Sequence, residues 1–377
     1  MKTILSVTGT RADYGIYTPV YRAIEASKTL SLELVVTGMH LLPEFGRSIE
    51  VIKKDGFMIV AELSTMTAED TMRSTAEFVG RTTVEFARVL SKRRPDILLL
   101  LGDRGEQLAA ATVALYLRIP IAHLHGGEQS GSVDDPVRHA ITQMASIHLA
   151  AAQENADHIY RMCGADTPHV HVVGAPALDV IRTLEAIPKD QLFKDAGFDQ
   201  SKMTLLFVQH PDTTDSLSAE DQLKPSLQAL EAFDGNILVI GSNADAGGSR
   251  MNDLLRAFCA KRDRCQFKIT VPHREFLSWE KCVDVLVGNS SSGIIEAASF
   301  KLPVVNIGDR QKGRLRSGNV LDVSYDEEAI TAAIIKATSP AFRKRLQTIK
   351  NAYGGGYAAE KIVEILDTFV APTSSRS

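Results

Sequence analysis

The chain has 377 residues, 44% hydrophobic and 23% charged, with a net charge of -4. That length predicts two domains with separate cores. The slightly acidic balance argues against a nucleic-acid binder built on a general basic surface, and no stretch approaches the ~18 consecutive apolar residues of a membrane span. The four cysteines, Cys163, Cys259, Cys265 and Cys282, lack CxxC or secreted-type spacing and read as reduced thiols. The opening MKTILSV is too short an apolar stretch for a signal peptide. These features predict a soluble, cytoplasmic protein without nucleic-acid or membrane partners.

In chain order, residues 3–7 form the first predicted strand. It runs into the tight loop Gly9-Thr10-Arg11-Ala12-Asp13-Tyr14-Gly15, and a helix follows with Tyr17, Val20, Tyr21 and Ile24 inward. A strand over 32–37 ends at Gly38-Met39-His40. A helix over 49–55, a short strand over 58–62 and helical sequence over 68–92 come next. The apolar run Ile97 to Leu101 reads as a strand buried on both faces and stops at Gly102-Asp103-Arg104. A helix with Leu108, Ala111, Thr112 and Leu115 on one face leads to a second run, Ile119 to Leu124, which ends in His125-Gly126-Gly127-Glu128. Ligands of open parallel sheets sit just outside the carboxyl ends of the strands. Asp103, Arg104, His125 and Glu128 are therefore expected to share one crevice. Asp134 and Asp135 follow, ahead of a helix predicted from Pro136 to about His148. Strands over 148–152 and 170–173 precede Gly174-Ala175-Pro176, the candidate hinge.

The second half repeats the plan. A helix over 177–183 opens it, and a strand over 204–209 ends in His210-Pro211-Asp212. A helix over 219–233 leads to a strand over 236–240 that ends in Gly241-Ser242-Asn243-Ala244-Asp245. A helix over 251–260 and a strand over 267–270 bring in His273-Arg274. The strand over 283–287 ends in Gly288-Asn289-Ser290-Ser291-Ser292-Gly293, with a helix from Ile294. A strand over 303–307 gives way to the basic loop 308–319. Helices over 327–338, 341–351 and 358–369 complete the chain.

Five features carry chemistry, each beside a plainer reading. The GNSSSGIIEA turn offers free backbone N–H groups at a helix start, a ready phosphate site, although one serine would suffice as an ordinary cap. Glu296 either reaches a ribose diol or is a surface glutamate. The loop Arg310 to Asn319 carries four cations after a strand end, suited to a diphosphate through Arg314 above all, or simply solvated. His210 is a ligand contact or a structural hydrogen-bonder. Asp135 before Pro136 reads as an N-cap, which leaves Asp134 as the freer acid, with Arg138 four residues on able to hold it ionised. No HExxH, CxxC, Walker loop or GxGxxG is present, so neither a metal nor a cofactor is expected.

As a set, GTRADYG, VTGMH, LGDRGE, the HxHGGE loop with its DDPVRH follower, GNSSSG and INIGDRQKGR resemble the hydrolysing nucleotide-sugar 2-epimerases of sialic-acid and related nonulosonic-acid synthesis. The resemblance runs in order over nearly the whole chain. It implies a glycosyltransferase-B-like α/β fold, two Rossmann-like doubly wound domains with the active site in the cleft between them. Residues 1–174 would form the acid/base domain, joined by the C-terminal helix 358–370, and residues 175–357 the nucleotide domain. The implied substrate is UDP-N-acetylglucosamine, and the products are N-acetylmannosamine and UDP. A 2,4-diacetamido-trideoxy sugar of the bacillosamine type is the alternative. A homo-oligomer, dimer or tetramer, is expected.

Carried over by position, Asp103 matches the family's catalytic aspartate and Asp134 the acid ahead of the helix. Arg11, Arg104, His210, Asn243, Ser291, Ser292, Glu296 and Arg314 match nucleotide or phosphate contacts. Tyr14, Gly15, Ser242, His273, Asn289, Ser290, Gly293 and Gly313 complete the expected substrate-binding set, and Arg138 joins the catalytic one. Several members carry glutamate where this chain has His125, so the second acid/base group is either His125 or Glu128. The chemistry agrees with the residues. The C2 hydrogen adjoins no carbonyl, so inversion there needs UDP to leave C1, a base to take the C2 proton and a glycal to rehydrate. That route requires cations or dipoles on the diphosphate and at least two titratable groups at the ring. A glycosyltransferase of the same architecture is the competing reading, but it needs one base rather than a cluster of acids.

Overall fold

The computed structural model describes residues 1–69, 71–130, 134–242 and 247–370. The chain forms two compact units. One comprises Met1–Glu128, Asp134–Val180 and Tyr353–Ser377, and the other Gln129–Val133 and Ile181–Ala352.

The strands of the first unit are β1 (Lys2–Thr8), β2 (Leu30–Thr37), β3 (Ile59–Leu63), β4 (Ile97–Leu101), β5 (Ile121–Leu124), β6 (Ile147–Ala150) and β7 (Val170–Val172). They make one parallel sheet in the order β3-β2-β1-β4-β5-β6-β7. Parallel neighbours need crossovers, and helices supply them. Both faces of the sheet are therefore covered, which is why its strands are apolar without alternation. In β4, Ile97, Leu99 and Leu101 enter the core on one face, while Leu98 and Leu100 enter the core on the other. Helix Arg11–Ala26 packs on the first face through Tyr17, Val20, Tyr21 and Ile24.

The second unit repeats this order. Its strands are β8 (Thr204–Val208), β9 (Asn236–Ile240), β10 (Cys265–Lys268), β11 (Val285–Gly288), β12 (Val304–Ile307) and β13 (Val320–Val323). They run parallel as β10-β9-β8-β11-β12-β13. Strand order reverses between β1 and β4 and again between β8 and β11. Each reversal opens a crevice at the carboxyl ends of the strands, where open α/β sheets hold ligands.

Strand β13 was not foreseen. It is a half-buried edge strand, and its pattern lacks the continuous apolar run of the inner strands. The loop GTRADYG is also shorter than its sequence suggests, because the helix begins at Arg11. Thr10 caps it, and Asp13 returns the bond to the Thr10 N–H at 3.2 Å. The division of the chain falls after Val180 rather than at Gly174. Helix Ala177–Arg182 starts within the first unit, where the Asp179 carboxylate accepts from Ala358 N (3.0 Å) and Ala359 N (2.9 Å). Ala175 N also donates to Tyr353 O at 2.9 Å.

That carboxylate caps helix Ala358–Thr368, whose buried residues Ala358, Ala359, Ile362 and Leu366 share a core with Tyr17 and Tyr21. The other end of the helix meets Lys2, whose ammonium donates to Leu366 O (3.1 Å), Phe369 O (2.7 Å) and Asp367 O. An acid at the first turn and a cation at the last complement the helix dipole. No helix among the described residues is long and apolar enough to cross a membrane.

Asp179→Ala removes both capping bonds at a buried helix start. It is expected to lower the unfolding free energy by ~1–2 kcal/mol and to speed amide exchange across residues 358–368 ahead of the rest of the unit. An unchanged urea midpoint and unchanged exchange there would show that packing alone holds this helix.

Candidate active site

In the first unit the strand ends converge on one guanidinium. Helix Asp134–Met144 carries Arg138, which is 1% exposed. Its Nη2 pairs with Asp103 Oδ2 beyond β4. Its Nη1 donates to Asp135 Oδ1 at 2.6 Å and to the Glu128 carbonyl at 3.1 Å. One buried cation thus ties the loop after β4, the loop after β5 and the start of the following helix. Removing one partner of a buried ion pair typically costs ~3–5 kcal/mol, because the other charge is left stranded.

The pairing corrects the expectation for Asp135. The helix starts at Asp134, so both aspartates lie in its first turn. Asp135 is then not a cap residue, and its carboxylate holds Arg138 three positions on. Asp134 lies beside it in that first turn.

The β5 loop is shaped by tight backbone. His125 has φ 58 and Gly127 φ 74. A Cβ on Gly127 would lie 2.3 Å from Asn155 O, so only glycine fits there. His125 Nδ1 bonds Glu128 Oε1, and both residues are buried. His139 Nε2 lies 3.3 Å from Glu128 O and His158 Nδ1 2.8 Å from Gly127 O. On β5 itself, His123 Nε2 donates to Gly102 O at 2.8 Å. Burial lowers the His123 pKa to about 3, with the bond to Gly102 opposing, so this imidazole is a neutral strut.

The β1 end is equally committed. Asp13 accepts from Thr8 Oγ1 (2.6 Å) and Gly9 N (3.0 Å), and His40 Nε2 bonds Thr8 Oγ1 at 3.0 Å. Burial works against the charged Asp13, but His40, Thr8 and Gly9 outweigh it and hold the carboxyl below its usual range. Arg11 heads the helix, with Nη2 3.4 Å from Gly46 O. Arg104 Nε donates to the buried Glu106 at 2.8 Å. Gly9 leaves room for that carboxylate, since a Cβ there would lie 1.9 Å from Glu106 Oε1. Tyr14 and Gly15 are not loop residues. They sit on the buried face of the helix, and the Tyr14 hydroxyl donates to Asp55 Oδ2 at 2.5 Å.

In the second unit the corresponding reversal is pinned by a reciprocal pair. His210 N donates to Asn289 Oδ1 (2.7 Å), and Asn289 Nδ2 donates to His210 O (2.8 Å). His210 Nδ1 lies 3.3 Å from Ser242 Oγ, which brings the ends of β8, β9 and β11 together. Asn243, next to Ser242, lies outside the described residues. Gly288 adopts φ 135, and a Cβ there would strike Val208 O at 1.9 Å. Ser290 caps the next helix by accepting from Ser292 N at 3.3 Å. That helix, Ser291–Ile295, is one turn long, so backbone N–H groups rather than a long dipole would attract an anion here. Gly293 lets it approach the sheet, since a Cβ would sit 3.0 Å from Val304.

Glu296 Oε1 lies 3.1 Å from His273 Nε2. In the basic loop, Lys312 pairs with Asp309 and Arg316 with Asp322, each at 2.9 Å, so these two cations are locally compensated. Gln311, not singled out from sequence, donates to Asn289 O at 3.1 Å and ties the loop containing Gly313 and Arg314 to the serine turn. A Cβ on Gly313 would lie 2.7 Å from Gln129 O.

Glu280 was also missed, because an acid inside helix His273–Cys282 looks like a surface residue. It is 1% exposed, and neither carboxylate oxygen makes a hydrogen bond of normal geometry. Burial first and the Glu296 charge second push its pKa well up, opposed in part by Ser292.

Both sheets, with their reversals, define the glycosyltransferase-B-like class. The chain belongs to the hydrolysing 2-epimerase family, since the model of the UDP-N-acetylglucosamine 2-epimerase family matches residues 22–367. It is 38% identical over 369 residues to the hydrolysing UDP-N,N'-diacetylbacillosamine 2-epimerase of Legionella pneumophila, covering 98% of this chain and 96% of that one. The hydrolysing GDP/UDP-N,N'-diacetylbacillosamine 2-epimerase of Campylobacter jejuni is 31% identical, covering 91% and 89%. In fold the chain is similar to the UDP-GlcNAc 2-epimerase of Neisseria meningitidis bound to UDP-GlcNAc, with TM-score 0.82, 18% identity and coverage of 97% and 99%.

Glu280→Met replaces an unsatisfied buried carboxyl by an apolar chain of similar size. It is expected to raise the unfolding free energy at pH 7 by ~1–3 kcal/mol. The sign with pH follows from the raised carboxyl. Its proton is retained on folding but lost on unfolding above pH ~4.3, so wild-type stability falls as pH rises and the gain of the variant shrinks towards pH 4. Urea titrations at both pH values check this, and a variant less stable at pH 7 would contradict it.

Proposed function

We propose that the chain is a hydrolysing 2-epimerase whose substrate is a UDP-linked 2,4-diacetamido-2,4,6-trideoxyglucose, UDP-N,N'-diacetylbacillosamine. The observation that carries this choice of sugar is the full-length likeness to the Legionella enzyme, at 38% identity. The likeness to the Campylobacter enzyme supports it. This reverses the order of the two candidate sugars given by the sequence motifs, which put UDP-N-acetylglucosamine first.

The reaction divides between the units. In the second, the N–H groups of the Ser290–Ser292 turn, His210 and the Arg314 loop take the diphosphate, and Glu296 takes the ribose diol. In the first, the cluster held by Arg138 moves protons. A base removes the C2 proton, the C2–H electron pair becomes the C1=C2 bond, and the C1–O pair leaves with UDP. Water then adds to C1 of the glycal and a proton to C2 from the opposite face. The net change is substrate plus water to UDP plus the free 2,4-diacetamido-2,4,6-trideoxymannose. Asp103 and Asp134 are assigned two of the proton transfers, each worth ~10²–10⁴-fold in rate. Arg138 orients the first of them through its ion pair with Asp103, and Asp134 lies in the first turn of the helix that carries Arg138. The diphosphate charge is met by arginine and backbone dipoles. The reading keeps the enzyme cytoplasmic and homo-oligomeric.

The test is incubation of the purified protein with each nucleotide sugar in D₂O, followed by proton NMR. The expected result is UDP and the free manno-configured diacetamido sugar from the first substrate, with deuterium at C2, and at least ~10-fold slower release from UDP-N-acetylglucosamine, the scale of one altered substituent contact. N-acetylmannosamine formed in preference would restore the sequence-based choice of sugar. Absence of turnover with both would overturn the enzyme assignment.

A further inference from the structure

We propose that His125 and Glu128 act as a catalytic dyad, with His125 Nε2 as a proton-transfer atom at the sugar C2 and Glu128 as the positioning residue behind it. The proposal rests on the 2-epimerase reading and resolves which of the two residues exchanges the proton.

Three observations converge on His125. Its backbone lies at φ 58, a left-handed conformation that side chains rarely adopt. Strain of this kind persists only where the surroundings enforce it, and it concentrates at functional sites. The enforcement is visible. His125 N donates to Leu149 O at 3.2 Å, Gly127 can carry no side chain against Asn155 O, and Arg138 and His139 hold the Glu128 carbonyl. The second observation is the bond from Nδ1 to Glu128 Oε1. A carboxylate only accepts, so Nδ1 carries the proton and the lone pair of the neutral ring sits on Nε2. The third is that Nε2 is buried and has no hydrogen-bond partner among the described residues. A strained backbone, an oriented tautomer and an unsatisfied basic nitrogen occur together on one residue.

A structural pin would need only the Nδ1 bond. It would leave the buried, unpartnered Nε2 unexplained. Glu128 is the poorer choice for the proton itself. It is 1% exposed, and its Oε1 is taken up by the imidazole. It can, however, stabilise the imidazolium that forms when Nε2 takes a proton. The other charged or titratable groups near the ring come from neighbouring segments. Asp103 lies beyond β4, Arg138, Asp135 and His139 are on the helix after the loop, His158 is on helix Gln153–Cys163, and the neutral His123 is on β5. Arg138 is shared between Asp103 and Asp135, and Asp134 lies in the same first turn as Asp135; the carboxylate bonded to the ring is that of Glu128.

In the elimination step the Nε2 lone pair binds the C2 proton while the C2–H pair forms C1=C2 and UDP departs. The imidazolium so formed, held by Glu128, returns its Nε2 proton to solvent before the next turnover, so one proton moves and the imidazole cycles between neutral and cationic forms.

Two variants and a rescue test this. His125→Asn keeps an N–H for Glu128 and tolerates positive φ, but has no atom that can exchange a proton. It should lower kcat by ~10²–10⁴-fold with UDP affinity, read by calorimetry, unchanged. His125→Gly relieves the strain and opens a cavity, and added imidazole should restore part of its rate. Glu128→Gln keeps the acceptor and removes the charge, so the acidic limb of its kcat against pH should move to lower pH. Two results would each overturn the dyad: His125→Asn turning over within ~3-fold of wild type, or no imidazole rescue together with an unmoved acidic limb. Wild-type protein inert towards both nucleotide sugars would instead sink the epimerase reading beneath it.

Discussion

The buried guanidinium of Arg138 is the interaction on which the first unit's chemistry depends. A guanidinium keeps its charge even when buried, so one with almost no solvent contact must be paired or it destabilises the fold. Its fork meets carboxylates from two segments, Asp103 beyond β4 and Asp135 in the helix that carries Arg138 itself, and reaches the carbonyl of Glu128 beyond β5. Arginine suits this task because its planar donors diverge in fixed directions, whereas lysine is a single point charge. The loops at the strand ends are therefore set against each other by one rigid side chain.

The strand order supplies the frame. Both units reverse their winding beside the first strand of the sheet, and in both the reversal is built by close backbone approach. Gly9 makes room for Glu106, and Gly288 lies against Val208 O. The fillings differ. The first unit fills its reversal with acids, imidazoles and a guanidinium. The second fills it with amides, hydroxyls and backbone donors around the His210–Asn289 pair. A neutral, donor-rich turn suits a diphosphate, and a charged, coupled cluster suits proton transfer. The division of labour in the proposed reaction follows from that contrast.

Much of this was legible in the sequence. The buried run Ile97 to Leu101 announced a central parallel strand. Of the four ionisable residues expected to share a crevice there, Asp103 meets Arg138 with its carboxylate and Glu128 with its carbonyl, His125 bonds the Glu128 carboxylate, and Arg104 pairs with Glu106. Where the reading missed, tertiary contacts outweighed local signals. Asp-Pro looked like a cap, but the pull of Arg138 on Asp135 and the earlier helix start gave Asp135 another role. Tyr14 sat in a motif read as loop, yet a helix that begins at Arg11, five residues earlier than read, turned it into the core. Glu280 resembled a solvated helix residue, and nothing local tells that its face is covered. The positive φ of His125 is not marked by its residue type alone, because histidine, although enriched at positive φ, adopts ordinary backbone far more often.

The account's central claim is that Arg138 makes the acids of the first unit act as one device. A double-mutant cycle in kcat/KM between Arg138→Gln and Asp103→Asn tests it most directly. Residues that work as a unit are strongly non-additive, each single loss costing about as much as the combined one. The double variant is predicted to be within ~10-fold of the slower single variant, each single costing on the order of 10²-fold or more. Losses that multiply, so that the double variant falls by the product of the two, would show that Arg138 and Asp103 contribute independently and would contradict the account.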